Sequence, residues 1–211
     1  MITILIMMIL SSTSLSDFDT HKLIPEIAVA NCKNLKRASD SRKESALKIA
    51  YILYDVEEEM GVPNEMRGMT LSAACLESAF NPNAKGDRNF SKNKKTPRAI
   101  GVLQMWKIYE KVYGTDRKDP RSSAIGWLTH IKKKIPKVKR QCKYESIRKV
   151  WIAAWVTGIR YKKLGGRCRE KPLHLRYFMK IRRVYESQTR MSETKSGSNS
   201  LSIEQSAPKK W

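Results

Sequence analysis

The amino-acid sequence predicts a mainly α-helical fold with a short loop or hairpin after one of its helices. The first observation is that apolar residues recur every three or four positions in several segments, as on the buried face of an amphipathic helix. The second is that capping residues, glycines and prolines stand at the ends of these segments. Alternating apolar and polar runs are only a few residues long, so a large sheet is not expected.

The first two predicted helices meet at a glycine and a proline. Apolar residues at helical spacing run from Ser41 to Met60, and the first residue with Glu44 matches a capping box. Gly61 ends this helix. A second helix is predicted from Pro63 to Phe80. It stops there because Asn81 precedes a proline, which disfavours helical backbone angles.

The rest of the chain alternates between polar loops and helical patterns. A polar, basic segment at 83–98 predicts the loop or hairpin. Beyond it, about four further helical patterns complete the prediction. They are Gly101 to Tyr113, Pro120 to about Lys134 with Asp119 as N-cap, Glu145 to Tyr161, and Pro172 to Tyr185.

The N-terminus has the character of a secretory signal peptide. Met1 to Leu10 is apolar and uncharged, and small residues at Ser14 and Ser16 suit cleavage before Asp17. This predicts export to the periplasm or cell envelope, with an uncleaved anchor or an ordinary buried segment as alternatives. The domain prediction is a signal peptide at 1–16, an extension at 17–40, one main domain at 41–186 and a disordered basic, Ser-rich tail at 187–211.

The four cysteines of an exported chain permit two disulfides with three possible pairings. Cys142 and Cys168 bracket one predicted helix and are the favoured pair. Cys75 is alternatively a small buried hydrophobe. No Cys-x-x-Cys or His-x-x-x-His spacing occurs, so neither a metal site nor a cofactor is predicted.

Four short motifs occur in an informative order. They are ESAFNPNA from Glu77, AIGVLQM from Ala99, AAWVTG from Ala153 and YFMKIRRVY from Tyr177. In these motifs, over roughly Ala46 to Tyr185, the chain resembles the soluble lytic transglycosylase family, which is related to goose-type lysozymes. The resemblance implies a lysozyme-like helical fold. It also implies cleavage of the MurNAc-GlcNAc β-1,4 bond in peptidoglycan, with formation of 1,6-anhydro-MurNAc.

The resemblance makes Glu77 the single catalytic residue, acting first as general acid and then as base. The substrate's own N-acetyl and C6-hydroxyl groups replace the second carboxylate that most glycosidases use. A carboxyl group can protonate a leaving oxygen near neutral pH when burial raises its pKa. Leu76 and Phe80 flank Glu77 and are expected to provide that burial.

Several other positions are implied to bind substrate. The Ser78 hydroxyl would orient Glu77 or contact the sugar, and its alternative is a bond to its own helix backbone. Gln104 would reach the acetamido groups, and Gly101 would permit close backbone approach to the glycan. Tyr177 would hydrogen-bond near Glu77, or else pack in the core.

The remaining cleft predictions concern its floor and a possible second carboxylate. Met105 and Trp155 would line the floor. Trp155 and Val156 stand where the family usually has Tyr and Asn, which removes one amide from the cleft. Asp87 is the nearby carboxylate that could hold a water and make the enzyme a hydrolytic muramidase. Its alternative is a turn residue beside Gly86.

The formal charge of +22 predicts an anionic partner. The expected partners are peptidoglycan strands, anionic wall polymers and an envelope-spanning secretion, conjugation or phage-entry apparatus, with nucleic acid not expected as the primary one. Basic side chains between the first two motifs would attract stem carboxylates or wall-polymer phosphates: Lys92, Lys94, Lys95 and Arg98. The competing hypothesis is a catalytically impaired binder of murein or nucleic acid.

Overall fold

The computed structural model describes residues 15–87, 97–143, 146–156, 175–187 and 190. These residues contain seven α-helices and a small sheet. The prediction of a mainly α class is confirmed for this part of the chain. The helices are α1 (Leu15–Asn31), α2 (Asp40–Glu59), α3 (Met69–Ser78), α4 (Ile108–Tyr113), α5 (Pro120–Cys142), α6 (Ile147–Val156) and α7 (175–187). The strands are β1 (Lys85–Gly86), β2 (Ala99–Ile100) and β3 (Met105–Trp106).

Helix α2 starts one residue earlier than predicted and has a different cap. The Ser39 side chain accepts a hydrogen bond from the Arg42 backbone N–H at 3.4 Å, so Ser39 is the N-cap. The predicted capping box of Ser41 and Glu44 is therefore wrong. Both residues instead lie on the exposed surface of the helix.

The second predicted helix is interrupted. A 3-10 turn occupies Asn64–Met66, and α3 begins only after Gly68, whose φ of 92° is left-handed. An added Cβ at Gly68 would lie 3.3 Å from the Ile24 side chain. A left-handed residue ends regular helix geometry, so the prediction of one helix from Pro63 to Phe80 is wrong in its first half.

The predicted N-terminal extension shares the core of the predicted catalytic domain. Ile24, Ala28 and Leu35 are buried in one cluster with residues of every later helix except the short α4. Helix α1 packs on both α2 and α3. The boundary at residue 40 thus separates no independent cores, and the predicted signal peptide and tail fall almost entirely outside the described residues.

The sheet follows α3 directly and is antiparallel in the order β1-β2-β3. Lys85 pairs with Ile100, and Ala99 pairs with Trp106. The predicted helical pattern from Gly101 to Tyr113 is therefore split into a turn, a strand and α4. Arg117 clamps this region, because its Nη1 donates to the carbonyls of Arg98 and Met105 at 3.0 and 3.1 Å.

Helix α5 confirms its predicted start but runs past its predicted end. Asp119 caps it by accepting from the Ser122 N–H at 2.6 Å. The helix continues through Pro136 to Cys142 because buried Ile131 and Val138 extend its apolar face across the proline.

A disulfide joins Cys32 to Cys75, with their Cα atoms 5.8 Å apart. Cys75 is therefore more than a buried hydrophobe. Cys142 is also disulfide-bonded, and its predicted partner Cys168 lies outside the described residues. The Cys32–Cys75 bond ties α3 to the 3-10 turn at Lys33–Leu35.

Candidate functional site

Glu77 lies in the last turn of α3, where the helix leaves the core. Residues Met69 to Cys75 of this helix are all buried, whereas the Glu77 side chain is exposed. The expectation that Leu76 and Phe80 bury this carboxyl group is wrong. Phe80 is fully buried, but it points into the core from the next turn of the chain.

The backbone after Glu77 turns sharply. The Phe80 N–H donates to the Ala74 carbonyl and the Ala79 N–H to the Cys75 carbonyl, both at 3.1 Å, so that the turn satisfies two carbonyls at the end of the helix. Ala79 and Phe80 both have left-handed backbone angles, with φ of 52° and 59°. The Arg42 guanidinium donates to the Ala79 carbonyl at 2.5 Å and holds the turn against α2.

The Ser78 hydroxyl connects α3 to the sheet. It donates to the Val102 carbonyl at 2.7 Å, with the Ala74 carbonyl a second acceptor at 3.1 Å, and it accepts from the Asn81 N–H at 3.1 Å. Its predicted alternative, a bond to helix backbone, is thus part of what is observed. Ser78 positions the peptide that carries Glu77 relative to the turn between β2 and β3.

The backbone of this protein itself requires a glycine at position 101. Its φ is 83°, and an added Cβ would lie 1.7 Å from the Arg117 carbonyl oxygen. A glycan was expected to approach the Gly101 backbone closely, but the Arg117 backbone occupies that position. Gln104 stabilises the same turn, because its side-chain N–H donates to the Gly101 carbonyl at 2.9 Å. Its Oε1 lies against Gly86 of β1.

Asp87 fixes a tryptophan that sequence reasoning missed. Its Oδ2 accepts from the Trp106 indole N–H at 2.7 Å, and Arg98 lies 5.6 Å from the centre of the indole ring. A groove of about 510 Å³ opens beside this cluster. It is lined by Pro97, Arg98, Trp106, Lys107, Ile108, Glu110 and Arg117.

Two of the predicted cleft side chains belong to the core. The Tyr177 hydroxyl donates to the Ala28 carbonyl of α1 at 2.7 Å, and burial raises the pKa of Tyr177. Its predicted bond near Glu77 is wrong, and the core alternative is confirmed. Met105 is only 2% exposed, so its side chain packs inside the core and does not line an open floor.

Trp155 is half-buried on α6. Its ring meets that of Trp127 edge to face, with centroids 5.7 Å apart. Neighbouring residues of the third motif lie outside the described part of the chain: the side chain of Val156, and Thr157 and Gly158. The predicted loss of an amide there stays a prediction.

Left-handed backbone angles are concentrated in the segments that follow Glu77. Left-handed angles at non-glycine residues occur at five described positions. Ala79, Phe80, Asp87 and Gln104 lie in the segments that follow α3 and form the sheet, and the fifth, Lys143, caps α5. Such angles cost about 1–3 kcal/mol each and cluster at functional sites.

Glu57 holds the other end of α3. It is fully buried, and its carboxyl group accepts from the Gly68 N–H, the Thr70 N–H and the Thr70 hydroxyl at 2.5–2.6 Å. Desolvation outweighs these bonds and raises the pKa of Glu57 to about 7. Its spacing after buried Ala46, Ala50 and Leu53 is the sequence signal that could have identified it as inward-facing.

Comparisons with protein-family models, with curated proteins and with solved structures found no match for this chain. Among the described residues, no helix is long and apolar enough to cross a bilayer. Within the same residues no group of three His, Cys, Asp or Glu side chains could hold a metal ion.

Proposed function

We propose that the protein is a peptidoglycan lytic transglycosylase in which Glu77 is the single acid-base catalyst. The observation that carries this proposal is the position of Glu77. Its exposed carboxyl group stands at the end of a buried helix, and the two residues after it are fixed on two sides. Ser78 bonds to Val102 between β2 and β3, and Arg42 of α2 bonds to the Ala79 carbonyl. Such rigid support is what a catalytic group needs.

The proposed reaction uses no water. Glu77 donates its proton to the oxygen that links MurNAc C1 to GlcNAc C4, and the bond from C1 to that oxygen breaks. The N-acetyl group of the substrate stabilises the charge at C1. The Glu77 carboxylate then takes the proton of the C6 hydroxyl group while the oxygen of that hydroxyl group bonds to C1. The acid is thereby regenerated and an anhydro ring forms.

The position of Asp87 favours this reaction over hydrolysis. A hydrolase would need a second carboxylate that holds a water opposite Glu77. Asp87, the candidate for that role, already accepts the Trp106 indole N–H. In the proposed reaction the substrate's own groups are therefore the partners of Glu77.

The cysteines support an exported protein. Cys32 and Cys75 form a disulfide, and Cys142 is also disulfide-bonded. Disulfides persist in oxidising compartments such as the periplasm and the cell exterior. We therefore propose that the enzyme works in the periplasm or cell envelope, where its substrate lies.

The test is digestion of purified murein sacculi, followed by mass spectrometry of the released muropeptides. Glu77→Gln should lower turnover by about 10²-fold or more, since it removes the proton that is transferred. The matched control is Glu44→Gln on the exposed face of α2, which should keep full activity. An active Glu77→Gln enzyme would overturn the assignment.

The products and a second variant distinguish lyase from hydrolase. Wild-type products should carry 1,6-anhydro ends, and Asp87→Asn should continue to form them. Products with reducing ends, together with loss of activity in Asp87→Asn, would instead establish a muramidase.

A second candidate function is a binder without turnover. It is favoured by the exposure of Glu77 and by Trp155 and Val156 in place of the family's Tyr and Asn. Sacculi that bind the protein but release no soluble product would establish it.

A further inference from the structure

The second half of α5, from Lys132 to Cys142, carries a one-sided cationic surface, which together with the C-cap residue Lys143 we call the α5 cationic face. At 100° per residue, its exposed basic side chains fall on one arc of about 160°. They are Lys132, Lys133, Lys137, Lys139, Arg140 and Lys143. The opposite arc holds Ile131, Ile135 and Val138, which face the core. The surface is therefore directed entirely outward.

These charges repel one another within the helix. Lys133 and Lys137 are four residues apart in the helix, and like charges at this spacing destabilise a helix. No basic side chain of this face forms a salt bridge to a carboxylate in the described part of the chain. No described carboxylate therefore offsets this repulsion.

Other contacts anchor the inner edge of the face. The Lys132 ammonium donates to the Met60 carbonyl at 2.5 Å, and the Lys133 ammonium lies 4.8 Å from the centre of the Tyr113 ring. Burial lowers the pKa of Lys134 to about 8. Farther along the chain, the remaining basic residues are exposed to solvent: Lys137, Lys139, Arg140 and Lys143.

The face lies far from the candidate catalytic residue. Lys132 binds Met60 at the C-terminal end of α2, whereas Arg42 in the first turn of α2 binds Ala79, two residues after Glu77. The 18 residues between Arg42 and Met60 span about 27 Å of helix. The Lys132 end of the face therefore lies at the opposite end of α2 from the turn that follows Glu77.

The side chains also restrict the kind of ligand. None of the large apolar side chains exposed on the described surface lies between residues 132 and 143. Insertion into a bilayer needs apolar anchors, and single-stranded nucleic acid needs exposed aromatic platforms. A convex face of flexible lysines instead suits a flexible chain of repeated phosphates, which it contacts by charge alone.

We infer that the α5 cationic face is a docking surface for an anionic, phosphodiester-linked wall polymer, which holds the enzyme on its substrate. The inference rests on the proposed function for the identity of the polymer, because such polymers are attached to peptidoglycan. Docking that begins at Lys132, at the end of α2 opposite to Arg42, leaves the catalytic end free to reach glycan strands.

The test measures binding of purified poly(glycerol phosphate) by isothermal titration calorimetry at several salt concentrations. Replacement of Lys137, Lys139 and Arg140 by Glu should weaken binding roughly tenfold or more and reduce its dependence on salt. The control replaces Lys33, Lys36 and Arg37 by Glu, an equal change of charge at exposed positions near α1. It should weaken binding less than about threefold if the site is local.

Three results would overturn the inference. The first is equal loss in both triple variants, which would mean attraction by net charge alone. The second is unchanged binding in the α5 variant. The third is tighter binding of wild-type protein to anionic vesicles or duplex DNA than to the polymer at the same salt concentration.

Failure of the proposed function gives a different pattern. Glu77→Gln should bind the polymer normally, and the α5 variant should digest sacculi stripped of the polymer at the wild-type rate. Loss of polymer binding in the α5 variant with no lytic activity in any protein would remove the enzyme proposal but keep the docking surface.

Discussion

The two long helices of the protein, α2 and α5, use their charges in opposite ways. On α2, Lys43 pairs with Asp40 at 3.0 Å and Lys48 pairs with Glu44 at 2.8 Å. The second half of α5 has only positive charges, which repel one another. The comparison teaches that charge on α2 supports the fold, whereas no ion pair with a described carboxylate offsets the charge on the second half of α5.

The comparison extends to the candidate site, because α2 holds both ends of α3. Glu57 receives the N-terminal N–H groups of α3, and Arg42 binds the carbonyl after its last residue. Changes around α3 should therefore lower stability, and changes on the outer face of α5 should not. The following predictions test this contrast, from the largest expected effect to the smallest.

Removal of the disulfide should have the largest effect. The Cys32–Cys75 bond closes a loop with a sequence separation of 43, so the variant Cys32→Ser/Cys75→Ser should lose about 4 kcal/mol of unfolding free energy. Urea unfolding without reductant measures this loss. A change below about 1 kcal/mol would mean that packing alone holds α3 in place.

Gly101→Ala should lower the free energy of unfolding by about 3 kcal/mol. The new Cβ collides with the Arg117 carbonyl, and the backbone at position 101 is left-handed. Gly61→Ala is the control. It has a similar φ of 60° but open space around it, so it should lose only about 1 kcal/mol. Equal losses in thermal unfolding would show that the collision at the sheet is relieved without cost.

Glu57→Gln should lower the free energy of unfolding by about 2 kcal/mol at low pH. One carboxyl oxygen that accepts a backbone N–H is replaced by an amide NH₂ group that can only donate. Folding raises the pKa of Glu57 from 4.5 to about 7. The folded state therefore favours the neutral acid, and this contribution is complete below pH 4.5 and is lost as the pH rises through 7. The stability difference between the two proteins should narrow over that range in urea unfolding. Parallel pH profiles would contradict the raised pKa.

Lys137→Glu should have the smallest effect and the opposite sign. It replaces repulsion from Lys133 and Arg140 by attraction, and should stabilise the protein by about 0.5 kcal/mol. The matched change on α2 is Glu44→Lys, which converts an ion pair with Lys48 into repulsion and should lower the melting temperature. If both changes moved the melting temperature in the same direction, the contrast between the helices would be lost.

Local signals predicted much of the fold. The mainly α class, the Asp119 cap of α5 and a hairpin after α3 follow from residue spacing and capping chemistry, which act over a few residues. The prediction failed where distant groups decide the conformation. Gly68 breaks the second helix while its N–H binds Glu57, and the turn at Gly101 is shaped by Arg117.

The candidate site shows the same division. The order of motifs identified Glu77, Ser78 and Gln104, and the structure joins Ser78 to the sheet segment that leads to Gln104. It could not identify Tyr177 as a partner of Ala28, because they are 149 residues apart in the chain. Trp106 lies outside the four motifs, and only its hydrogen bond to Asp87 connects it with the predicted site residues.

The sequence by itself determined that the chain is mainly helical, strongly basic and equipped with a glutamate at the end of an apolar helix. Only the tertiary structure decided that this glutamate is exposed, that Cys32 pairs with Cys75, and that the basic half of α5 faces outward. The physical reason is the distance along the chain over which each interaction acts. Helix periodicity and capping depend on neighbours within one or two turns, whereas burial and disulfide pairing depend on which distant segments share the core.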